Sequence, residues 1–97
     1  MELDQAVVLY LRSLAREGAS ASRLLRALGS KLAPEEPHKL TLLKYMRESF
    51  GLTLQEASPI AGWSADGTGE LRDTDIDAFV GPDIRRRRPE WDRVEAR

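Results

Sequence analysis

The chain has no cysteine, one histidine and no apolar run near the ~18 residues that a membrane span requires. Without cysteine there are no disulfides, thiolate zinc sites or thiol nucleophiles, which fits a reducing compartment. The lone His38 follows a proline at a helix start. A solvated or capping role outweighs catalysis there, because general-base work needs an oriented partner. G-x-S-x-G, Walker A and H-E-x-x-H patterns are all missing, and the serines are scattered with no base among them. Lysine is scarce, with 3 against 12 arginines, and arginine is the better residue for multidentate contacts with carboxylate or phosphate. The opening Met1-Glu2-Leu3-Asp4 lacks the basic start of a signal peptide. These absences point to a cytoplasmic protein that is not an enzyme and carries neither cofactor nor metal.

The 97 residues suit one small domain, 1–97, with 41% apolar and 32% charged residues. The reading is a single helical interaction domain, the N-terminal module of a longer protein. The formal charge is only −1, yet it is unevenly distributed. Asp66, Glu70, Asp73, Asp75, Asp77 and Asp83 share their stretch with one base, Arg72, and Arg85-Arg86-Arg87-Arg88 follows at once. A nearly neutral chain with an acidic and a basic segment suits docking onto something charged, including copies of itself.

The periodicity predicts an all-α chain of five or six short helices, and no segment shows the alternation of a strand. Leu3, Val7, Tyr10, Leu11 and Leu14 form one helical stripe that Gly18 ends. Leu9 falls off that stripe and is either covered by another helix or a contact residue. Ser20 or Ser22 caps a second helix carrying Leu24, Leu25, Leu28 and Leu32. After the loop Pro34-Glu35-Glu36-Pro37, with Pro37 in the first turn, a third helix runs from His38 to Phe50 and stops at Gly51. Thr53-x-x-Glu56 is a capping box that starts a short fourth helix, limited by Pro59. Gly62 to Gly69 is a loop. Asp73 or Thr74 caps a fifth helix bearing Ile76, Phe79 and Val80. Gly81-Pro82 breaks it, and a final helix extends to Arg88 before Pro89. Trp63 and Trp91 read as lids on the core or as interface anchors. Phe50, Phe79, Leu43 and Met46 read as core.

Two ligand patterns are only partly met. Ser64 to Asp75 lies over an EF-hand loop with Asp66 at position 3, Gly69 at 6 and Asp75 at 12. Ser64 stands where a carboxylate belongs, and Asp75 is shorter than the bidentate glutamate of such loops. A glycine-rich turn before an Asp-capped helix accounts for the same residues. Leu43 to Ala57 resembles the opening of phage-repressor-type helix-turn-helix domains, with a Gly51-Leu52-Thr53 step and a Gln55-Glu56 helix start. The recognition-helix position after Gly62-Trp63-Ser64 is acidic instead of basic, and phosphates repel acid. A nucleic-acid-binding regulator is the alternative reading.

The arginine block admits three roles: a solvated helix end, a nucleic-acid patch, or a docking patch for carboxylates. Lys44-Tyr45-Met46-Arg47-Glu48-Ser49-Phe50, Gly62-Trp63, Gly69-Glu70-Leu71-x-Asp73 and Arg88-x-x-Trp91 together resemble bacterial death-like domains of the effector-associated and recruitment type, within the death-domain superfold. The resemblance covers mainly residues 39–92. It implies a compact bundle of antiparallel helices that recruits a partner carrying a similar domain, or self-associates, in bacterial immune or signalling proteins. The expected contact residues are Arg85, Arg86, Arg87, Arg88, Asp73, Asp75, Asp77 and Leu9.

Overall fold

The computed structural model describes residues 3–34 and 38–92, so Pro37 and the chain after Asp92 lie outside the described residues. Within them the chain is all helical: α1 (Gln5–Arg16), α2 (Ala21–Leu32), α3 (Lys39–Phe50), α4 (Leu54–Ala57), a 3-10 segment (Ser58–Gly62), α5 (Asp73–Arg86) and α6 (Arg88–Trp91). Among the described residues there is no extended strand, only one isolated bridge between Trp63 and Leu71. None of these helices is long and apolar enough to cross a membrane.

Local signals set most of the boundaries. The Asp4 carboxylate accepts from the Ala6 amide and starts α1. α1 closes in a Schellman turn: the Gly18 amide donates to the Ala15 carbonyl and the Ala19 amide to that of Leu14, with Gly18 at φ 94°. Only glycine takes that left-handed conformation without cost. Ser20, the first of the two candidates, caps α2 by accepting from the Arg23 amide. His38 occupies the cap position of α3 with no capping bond from its side chain. The Thr53–Glu56 box is complete in both directions, at 3.1 and 2.9 Å.

The core runs through the middle of the molecule. Leu11, Leu24, Leu28, Met46, Phe50, Ile60, Ile76 and Val80 are completely buried. α1 packs between α2 and α3, while α2 lies against α5. The α2–α5 pair is antiparallel, because Ser22 meets Asp77 and Arg26 meets Asp73. Trp63 and Trp91 are both buried. Trp91 sets its ring edge-on to Phe50 at 5.2 Å and donates its indole N–H to the Ile84 carbonyl.

Four expectations are corrected. First, Tyr10 is 37% exposed, with the Lys31 ammonium 4.4 Å from its ring centre, and Val8 is buried instead. Second, Phe79 is not core: it is 54% exposed. Third, neither Asp73 nor Thr74 caps α5. Arg72 holds the cap position, and the Asp75 carboxylate reaches back to its amide at 3.0 Å. Fourth, α5 does not break at Gly81-Pro82 but continues to Arg86, and Pro89 opens α6 instead of ending a helix. A Cβ before proline would clash with the proline ring in helical geometry, and Gly81 has none. Pro82 deprives the Ala78 carbonyl of its partner, but Ala78 is exposed and water can replace it.

Candidate interaction surface

The nominated residues occupy both ends of α5, and at each end neighbouring elements decide which charges reach solvent. At the N-terminal end, Asp73 accepts from the Trp63 indole N–H at 2.8 Å and takes both oxygens to the Arg26 guanidinium at 2.8 and 2.9 Å. The Trp63 bond, and then Arg26, hold its carboxyl below the usual carboxylate range. Arg26 also donates to the Ala65 carbonyl and lies over the Trp63 ring. One arginine thus ties α2, the loop and α5 together. Asp77 accepts from the Ser22 amide at 2.8 Å and so satisfies a second orphan donor at the start of α2. Asp75 is occupied by the Arg72 amide. All three nominated carboxylates serve backbone or indole groups within the domain.

The C-terminal end is divided. Arg87 is inward: its side chain is 20% exposed, bonded to Glu56 at 2.9 Å and Glu90 at 3.3 Å. Arg86 also reaches Glu56, and Asp83 at 2.9 Å, but it stays 60% exposed. Glu56 therefore accepts from the Thr53 amide and from two guanidinium groups, and these contacts lower its pKa to about 2, the Thr53 bond most of all. Arg88 shares Asp92 with Arg16. Arg85 is exposed and its side chain, among the described residues, makes no hydrogen bond or ion pair; its guanidinium lies back over Gly81.

Leu9 is 47% exposed on α1, the helix whose Arg16 shares Asp92 with Arg88. Phe79, like Tyr10 on α1, is a residue that sequence reasoning placed in the core and the structure places on the surface. Its signal was available: Ile76, Val80 and Ile84 repeat every four residues, and Phe79 falls beside that line. Phe79, Pro82 and Arg86 are spaced i, i+3, i+7 along one exposed arc of α5, with Ala78 and Arg85 alongside.

The repressor-like segment does form a helix, a left-handed Gly51 and a capped α4. α4 then ends after four residues in the 3-10 segment, and residues 63–72 form turns where a recognition helix would lie. In the glycine-rich loop the Asp66 carboxylate accepts from the amide and hydroxyl of Thr68. Among the described residues no three His, Asp or Glu side chains gather as a metal site. No protein-family model matches the chain, and no curated protein or solved structure does.

Proposed function

We propose that this chain is a protein-interaction module of the death-like kind, an adaptor that recruits a partner with a similar domain or another copy of itself in bacterial immune or signalling proteins. The observation that supports the reading is the outward arc of α5. It presents an aromatic ring, Phe79, next to Pro82, the unpartnered Arg85 and the exposed Arg86. An aromatic side chain beside arginine is the composition that binding hot spots favour. The ion pairs of Arg86 are exposed, so exchanging them for a partner's carboxylate changes the energy little. The contact in this reading is therefore an apolar anchor with basic residues around it, and its partner surface is apolar with carboxylates at the rim.

Sedimentation velocity over a concentration series tests self-association, and binding to a candidate partner domain tests recruitment. Phe79→Ser combined with Arg85→Glu removes the anchor and reverses a charge that holds nothing inside the domain. The double variant keeps its thermal midpoint and associates at least about tenfold more weakly, and added salt weakens the parent. Association that survives the double variant unchanged overturns the reading.

A further inference from the structure

α2 carries a glycine in its interior, at Gly29, that neither backbone nor packing requires. Glycine there makes a poorer helix than alanine would. Gly29 is outside the left-handed region, and a Cβ placed on it would meet nothing within 4 Å. The open space is a groove of about 490 Å3 between α2, the start of α3 and the loop that follows the 3-10 segment. Leu25, Leu42 and Trp63, all buried, give it an apolar floor, and Arg26 and Lys39 stand at its edge.

The two cations are not equivalent. Arg26 is neutralised by Asp73. The Lys39 ammonium donates to the Trp63 carbonyl and to the Ser64 hydroxyl, both uncharged acceptors. Among the described residues no carboxylate is in ion-pair contact with it, although its charge helps to lower the pKa of nearby Asp66, and an ammonium group has a third N–H to give. A positive charge is thus held in place at the rim of an apolar trough whose wall lacks a side chain. Pockets that combine an apolar lining with a few fixed polar groups are the usual form of small-ligand sites. We propose that this groove binds a small apolar monocarboxylate, with its hydrocarbon or aromatic body over Gly29 and Trp63 and its carboxylate on Lys39. The site is remote from the arc of α5 and does not depend on the assembly reading.

Titrating the 15N-labelled domain with octanoate, while following the two indole N–H resonances, tests this. The Trp63 resonance moves with dose and saturates in the millimolar range, and that of Trp91, on the far side of the core, stays in place. Octanamide, with the same chain and no charge, binds about tenfold more weakly, and Lys39→Gln reduces octanoate binding by a similar factor. Gly29→Leu fills the groove and abolishes the response while raising the thermal midpoint, since leucine is the better helix former. The rise in stability separates a blocked site from a damaged fold. A stationary Trp63 resonance, unchanged binding by Gly29→Leu, or equal affinity for octanoate and octanamide overturns the proposal.

Discussion

The two ends of α5 carry charges of the sign that a helix dipole favours, carboxylates at the start and guanidinium groups at the finish. They are used differently. At the start, Asp73, Asp75 and Asp77 are all turned onto donors within the domain. At the finish only Arg87 is locked inward, Arg86 is shared between solvent and two carboxylates, and Arg85 is unspent. The short reach of an aspartate explains part of the contrast. It must sit close to its partner, and the orphan amides at helix starts are close at hand. A long arginine can pair and still present its head to water. A run of one charge in a sequence therefore does not define a surface patch of that charge.

The contrast can be broken at the acidic end by Asp73→Ala. This leaves the buried Trp63 indole N–H unpaired, a desolvation cost of about 1–3 kcal/mol at that group alone, and also frees Arg26. The thermal midpoint falls by several degrees in a differential scanning measurement. A smaller effect, present at neutral pH and lost in acid, comes from Glu56. Its folded pKa of about 2 lies below the ordinary 4.5, so its contribution to stability is present above pH 4.5 and is lost as the pH falls toward 2. Urea midpoints of the parent decline over that window, and Glu56→Gln is less stable at neutral pH with a flatter acid limb. Asp73 and Asp92, also lowered, leave a residual slope in the variant. The smallest effect belongs to Arg85→Glu, which changes stability by no more than about 0.5 kcal/mol, as expected for a surface group without partners. A large loss there would show that both ends of α5 are structural.

Short-range chemistry was legible in the sequence. Ser20, Gly18, Gly51 and the Thr53–Glu56 box each mark a boundary because the backbone group they satisfy lies within four residues. The all-α class followed from the same periodicity. What stayed hidden depends on neighbours distant in sequence. Asp73 reads as a cap, yet its partners are Trp63 on the loop and Arg26 on α2. Gly81-Pro82 reads as a break, yet packing of Ile76, Val80 and Ile84 carries α5 past it. In the candidate site, four arginines in a row give no hint of which two will meet Glu56, because that residue lies thirty positions away from Arg86. Phe79 and Tyr10 read as inward by helical spacing, and the finer angle of each helix turns them outward.

Glu56 has a consequence for how the molecule opens. A single carboxylate closes the capping box of α4 and grips the two arginines at the finish of α5. Fraying of α4 withdraws the acceptor from Arg86 and Arg87, and loosening of the last turn of α5 returns the cap to solvent. The two segments therefore belong to one cooperative unit, and their amide protons exchange together despite the 3-10 segment and the whole loop that separate them along the chain.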